Sequence, residues 1–158
     1  MKSKITPCLW FDGRAEEAAK FYVSIFRDAK MGEVTRYGEA GPGPKGTVMT
    51  ASFTIEGQEF VGLNGGPNFK FNEAVSFQIH CETQAEVDHF WDKLGAGAQE
   101  VACGWLKDKF GLSWQVVPTA LPRLLKAGGA QGARVMKAML GMKKLDIAAL
   151  ERAAKAGA

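Results

Sequence analysis

Apolar and polar positions along this chain repeat with two different periods, and the periods change in the same order twice. In "RAEEAAKFYVSIF" the residues Ala18, Phe21, Tyr22 and Ile25 recur at i, i+3, i+4 and i+7, and in "TQAEVDHFWDKL" the residues Val87, Phe90, Trp91 and Leu94 do the same. That spacing puts each set on one side of a helix. Each helix follows a strand-like run, "ITPCLWF" or "AVSFQIHC", with Asp12 and Thr83 as candidate N-caps. After the first helix, "KMGEVTRY" and "TVMTASFTIEGQEFVGLN" show the period-two alternation of half-buried strands, the second around a turn at Glu56-Gly57. After the second come "AQEVACGW" and a hairpin turning between Asp108 and Gly111. Each half thus reads strand, helix, three strands, which is the signature of a duplicated supersecondary unit. Beyond Pro118 the pattern is helical with glycine breaks, as in "AGGAQGARVMKAMLGM" and "LDIAALERAAKA". The expected fold is α+β. Two βαβββ modules, over residues 5–66 and 73–118, precede C-terminal helices over 119–158, all within one domain spanning 1–158.

Composition narrows the class. With 46% apolar residues in 158, the chain is long enough to bury a core without covalent staples. Cys8, Cys81 and Cys103 are odd in number and lack CxxC or Cys/His spacing, so neither a disulfide framework nor a structural zinc is indicated. No apolar run approaches the roughly 20 residues that span a bilayer. Met-Lys-Ser-Lys leads straight into a strand-like run, so the expectation is a cytoplasmic protein with no membrane partner. The net charge of +3 is uneven: from Thr119 onward eight Lys/Arg face only Asp146 and Glu151, a balance of +6 that leaves −3 for the rest. A nucleic-acid surface would interleave such basic residues with aromatics, and this segment has none, so no nucleic-acid partner is expected.

Strand parity locates candidate chemistry. Successive strand side chains point to opposite faces, so in "DKFGLSWQVVP" Leu112, Trp114 and Val116 share one face while Ser113, Gln115 and Val117 share the other. In "AVSFQIHC" the split is Phe77, Ile79 and Cys81 against Ser76, Gln78 and His80. The apolar sets suit the second helix. The polar sets converge on the opposite side as a candidate ligand site, or as polar groups that satisfy one another. His80 is the one candidate catalytic residue, since His89 falls off the apolar stripe. Trp10, Asn64, Ser76, Gln78, Trp105, Ser113 and Gln115 are the candidate ligand-binding residues. Trp114 is a further aromatic that could wall a ligand or sit in the core, and Cys103 reads as a buried, inert thiol. The loop "GEAGPGPKG" is glycine-rich, but no helix follows it, so it does not form a phosphate cradle.

With the duplicated unit in view, "ITPCLWFDGRAEEAAKFYVSIF", "VGLNGG" and "DKFGLSWQV" resemble the vicinal oxygen chelate (glyoxalase/bleomycin-resistance) superfamily. They resemble specifically its PhnB-like branch, labelled 3-demethylubiquinone-9 3-methyltransferase, over about residues 5–118. The resemblance implies mixed sheets curling around a pocket with helices outside. Metal-dependent members place one ligand on the first and one on the last strand of each module, which maps here to Thr6 and Ser76, and to Gly62 (with Asn64 the nearest polar side chain) and Gln115. None of these is an imidazole or a carboxylate, so no metal and no cofactor are expected. A methyltransferase of the doubly wound type would need a glycine-rich turn between a parallel strand and a helix, followed by an acidic ribose-binding residue, and the sequence offers none. The expected function is binding of a small molecule, with or without a reaction. The alternatives are a sequestering, resistance-type protein and the methyltransferase of the family label. The apolar residues of "MKAMLGMKKLDIAALERA" must pack somewhere, and a tail crossing a two-fold axis would bury them in a homodimer.

Overall fold

The structure is a computed structural model that describes residues 3–100 and 102–156, with the backbone alone at Gln99 and Glu100. The chain divides into two compact units, Met1–Phe71 and Asn72–Ala158, and the boundary falls inside the glycine- and asparagine-containing linker "GPNFKFNE".

The first unit holds β1 (Cys8–Phe11), α1 (Ala15–Ile25), β2 (Ala29–Arg36), β3 (Val48–Ile55) and β4 (Gln58–Asn64). The four strands form one sheet in the order β1-β4-β3-β2, with β1 parallel to β4 and the remaining pairs antiparallel. Buried residues alternate along β3 at Ala51, Phe53 and Ile55, the side that meets Tyr22 of α1. The β3–β4 turn lies where the pattern put it. Glu56 and Gly57 both have positive φ, 48° and 80°, the requirement of a two-residue hairpin turn whose twist matches its strands.

The second unit repeats the plan. Here β5 (Ser76–Cys81), α2 (Gln84–Leu94), β6 (Gln99–Glu100), β7 (Trp105–Lys107) and β8 (Ser113–Pro118) form a sheet in the order β5-β8-β7-β6, with β5 parallel to β8. Of the expected "AQEVACGW" strand, Val101 lies outside the described residues. Thr83 caps α2 as expected, its hydroxyl accepting from the Glu86 amide at 3.2 Å. Asp12 does not cap α1. That service comes from Asn64 at the end of β4, whose Oδ1 accepts from the Ala15 amide at 2.9 Å while its Nδ2 donates to the Val48 carbonyl at 3.1 Å. A cap drawn from 49 residues away is invisible to a local pattern. Asn64→Ala removes it and strands a helix amide. Thermal unfolding should read a loss of about 1–2 kcal/mol, and an unchanged midpoint would contradict this role for Asn64.

The tail forms α3 (Ala120–Lys126), α4 (Gly129–Leu140) and α5 (Ile147–Lys155). Its apolar stripe needs no two-fold axis. Leu121, Leu124, Val135, Leu145 and Leu150 make a buried cluster within the unit. Gln84 of α2 donates to the Leu145 carbonyl and accepts from the Ile147 amide, while Lys144 pairs with Asp88 at 3.0 Å. The expected tail-crossing mechanism of dimerisation is therefore corrected: most of the stripe is covered by its own chain, leaving Met136 and Leu140 exposed on α4.

Candidate functional site

In the second unit, β5 and β8 run side by side with Ser76 opposite Ser113, Gln78 opposite Gln115 and His80 opposite Val117. Ile79, Cys81, Trp114 and Val116 are buried, so parity leaves Ser76, Gln78, His80, Ser113 and Gln115 on the other, open face. Trp105 pairs with Gln115 across β7–β8, and Lys107 pairs with Ser113, which brings both to that same face. The polar groups are joined: Gln78 Nε2 donates to Gln115 Oε1 at 3.3 Å, and Gln115 Nε2 donates to Ser76 Oγ at 2.9 Å. Gln115 thus stands in the strand as the middle of an amide chain. Ser113 is 1% exposed, and its Oγ is a buried polar atom with no hydrogen-bond partner. Lys107 makes an ion pair with Glu73. The Lys107 ammonium, followed by the Glu73 residue's own amide, holds the Glu73 carboxyl below the usual range. His80 is exposed on the same face.

Behind this face, burial pushes the Cys81 thiol up to about 12, so it is neutral and unreactive at physiological pH. Trp114 is core, with its indole N–H donating to Asp108. The expected candidates Trp10 and Asn64 lie in the first unit. Trp10 Nε1 donates to the Gly66 carbonyl at 2.8 Å and its ring meets Phe69 edge-on. The Asn64 amide is spent on the cap and on Val48.

The register also moves one position. Phe11 and Cys81 are the last buried residues before each helix, and counting back from them matches Cys8 with Gln78 and Thr6 with Ser76. Since Cys8 pairs with Val61, the counterpart of Gln115 in the first sheet is Val61, not Gly62. Gly62 lies on the helix side, where an added Cβ would sit 3.1 Å from Ala15 Cβ; its smallness lets α1 approach the sheet. The residues at the matched places are then Thr6 and Val61 in the first unit and Ser76 and Gln115 in the second, and the valine offers no donor atom at all. This set does not fit the divalent metal that the resemblance implies, because amides and hydroxyls are weak ligands beside imidazole, thiolate or carboxylate. Among the described residues no three His, Cys, Asp or Glu side chains gather at one point.

A concavity of about 750 Å³ lies within the first unit, and of the expected ligand-binding residues it is lined by Asn64 alone. Asp12, Gly13, Glu16 and Glu17 line it at the start of α1, Arg36 and Tyr37 at the end of β2, and Asn64, Gly65 and Gly66 after β4. Its remaining wall is the Gly/Pro loop, folded over Tyr37. The Tyr37 hydroxyl donates to the Asn64 carbonyl at 2.5 Å, and an added Cβ at Gly43 would come within 2.4 Å of the ring. Arg36 donates to the Gly46 carbonyl at 3.0 Å. Lys20, and more weakly Arg36, hold the Glu16 carboxyl below its ordinary range. The sequence signal was available in retrospect: glycines at 41 and 43 beside a tyrosine leave room for a ring against backbone.

The family described as 3-demethylubiquinone-9 3-methyltransferase matches residues 3–117, so α3–α5 lie wholly beyond the matched region. Among solved structures, a PhnB protein from Bacillus cereus, itself described as a 3-demethylubiquinone-9 3-methyltransferase, is 40% identical. That match has a TM-score of 0.68 and covers 74% of this chain and 100% of the other. A Pseudomonas aeruginosa protein matches at 20% identity and TM-score 0.59, over 73% of this chain and 97% of its own. The fosfomycin resistance protein FosX of Listeria monocytogenes matches at 12% identity and TM-score 0.56, over 78% and 98%. These last two show a shared fold. No curated protein matches the chain.

Proposed function

Because this chain belongs to the 3-demethylubiquinone-9 3-methyltransferase family, the PhnB-like branch of the vicinal oxygen chelate superfamily, we propose that it binds a small molecule on the open face of the β5-β8-β7-β6 sheet. The observation that carries this reading is the hydrogen-bonded chain Ser76–Gln115–Gln78 beside the buried, unpartnered Ser113 hydroxyl. A buried polar atom left unsatisfied costs on the order of 1–3 kcal/mol, and a site that receives a ligand is one reason a fold retains it. Trp105 supplies an apolar border. His80 is the group on the face able to accept and return a proton, so general acid–base chemistry on the bound molecule is the reaction this face is equipped for.

Nothing in the site supports the methyl transfer in the family's description. The three strand–helix junctions are Asp12-Gly13-Arg14, Glu82-Thr83 and Thr119, with a single glycine among them, and none forms the glycine-rich turn of a nucleoside-binding methyltransferase. Sequestration without a chemical step is the other reading of the same face, and His80→Ala separates the two. Lost turnover with retained binding marks catalysis.

The binding reading is tested by titrating the 15N-labelled full chain with a mixed set of small polar and aromatic fragments. The side-chain amide signals of Gln78 and Gln115 should move, and Gln115→Leu should weaken the responding fragments about tenfold, the equivalent of one good hydrogen bond. Hits that map only to the Tyr37 concavity would move the site there. Metal analysis of the same preparation should read well under one equivalent of Zn, Ni, Mn or Fe. The proposal includes a homodimer, with Met136 and Leu140 of α4 among the exposed large apolar residues available to it, and light scattering reads that directly.

A further inference from the structure

Resting on the reading of the β5-β8-β7-β6 face as the ligand site, we infer that its ligand is an uncharged, planar molecule bearing an amide or lactam group. The direction of the hydrogen-bond chain carries the inference. A glutamine side chain offers two N–H donors and two acceptor lone pairs, and a serine hydroxyl offers one donor and two acceptors. Gln115 spends one donor on Ser76 and one acceptor on Gln78, leaving one of each. Gln78 spends one donor and keeps its carbonyl oxygen whole, and Ser76 accepts while its own O–H stays free. Adjacent positions of two paired strands therefore present N–H or O–H beside C=O, the complement of a group that itself carries N–H next to C=O. A carboxylate would meet the Gln78 and Gln115 carbonyl oxygens as repulsive neighbours, and an ammonium would meet their N–H groups in the same way.

Charge on the face points the same way. The open-face positions of β5, β7 and β8 carry no carboxylate, and the one lysine among them, Lys107, is engaged by Glu73. An ion bound there gives up hydration without a free counter-charge, which is far costlier than burying a hydrogen-bonded neutral group. His80 can accept or donate, so it matches a neutral polar edge as well. Trp105, directly across from Gln115 on the neighbouring strand, offers a flat apolar surface within cross-strand reach. A planar ring against that indole would bring its amide to the glutamine pair.

Three probes of one shape and different charge test this: benzamide, benzoate and benzamidinium, each titrated against the 15N-labelled full chain. Benzamide should bind at least about tenfold more tightly than either ion, a difference set by unpaired polar groups. It should move the Gln78 and Gln115 side-chain amides and the Trp105 indole N–H. Gln115→Leu, checked for an unchanged unfolding midpoint, should abolish the benzamide preference, and Gln115→Glu should turn the preference toward benzamidinium. If benzoate or benzamidinium binds this face as well as benzamide does, the neutral-amide assignment fails while the face remains a ligand site. If none of the three moves a resonance of this face, and the fragment set does not either, the site reading fails and takes this inference with it.

Discussion

Asp108→Ala should cost this protein about 4 kcal/mol, the largest loss expected of any single side chain outside the apolar core. The carboxylate is 4% exposed at the β7–β8 turn. One oxygen accepts from the Phe110 amide at 2.8 Å and the Leu112 amide at 3.1 Å, and the other accepts from the Trp114 indole at 2.9 Å. Hydrogen bonds to a charged acceptor contribute roughly 1.5–3 kcal/mol each and are not additive, and deleting the acceptor leaves three donors facing a void. Against a whole-domain stability of about 5–15 kcal/mol, that loss removes roughly a quarter to four-fifths of the total and lowers the unfolding midpoint in denaturant accordingly. Asp108→Asn keeps one acceptor but turns an amide N–H toward the indole N–H, so its loss should be intermediate. Urea unfolding followed by tryptophan fluorescence measures both. A shift below about 0.5 kcal/mol for the alanine variant, the level of an ordinary surface change, would mean that this carboxylate does not hold the turn.

Gly104→Ala is expected to cost about 2–4 kcal/mol and to loosen the tail. Gly104 has φ of 84°, where a Cβ is itself strained, and that Cβ would stand 2.8 Å from the Val116 carbonyl oxygen and 3.0 Å from Leu145 Cδ1. Neither neighbour can yield freely: Val116 is in the central pair of the sheet, and Leu145 is fully buried in the tail's own core. The same short segment ties the tail to the unit, with the Cys103 amide donating to the Met142 carbonyl and the Gly104 amide to the Lys143 carbonyl, both at 2.8 Å. The variant should therefore show faster limited proteolysis between α4 and α5 as well as a lower unfolding midpoint. Unchanged values of both would show that the tail docks independently of this glycine.

Much of the fold was legible because its signals are local. The apolar stripes of α1 and α2, the Glu56-Gly57 turn and the Thr83 cap each depend on residues within about one or two helical turns of one another. The duplication followed from reading those signals in order. What failed was long-range. Asp12 stood at the right sequence position to cap α1, but the β1–β4 pairing delivers Asn64 there from the far end of the sheet. The tail's apolar residues are too numerous to be left in water. Their partners are mainly one another, in a cluster of α3, α4 and α5, and Gln84 and Asp88 on α2 hold the Lys144–Ile147 segment by polar contacts.

The candidate site divides along the same line. Strand parity alone put Ser76, Gln78, His80, Ser113 and Gln115 on one face, since the period of two is fixed by backbone geometry. Which of them touch was decided by the parallel register of β5 on β8, which sets Gln78 opposite Gln115 and lets one amide reach Ser76. That register also exposed the mismatch at Gly62, where a glycine that looked like a lost ligand position proved to be clearance for a helix. The Tyr37 concavity had no periodic signature at all, because it arises from a loop closing over a ring through backbone hydrogen bonds between Tyr37, Gly46 and Thr47. The sequence by itself determined the duplicated plan, the faces of its strands and the polar character of one of them, all properties of short spans. Only the tertiary structure decided which distant groups satisfy one another, because register and helix docking bring together atoms that no spacing along the chain relates.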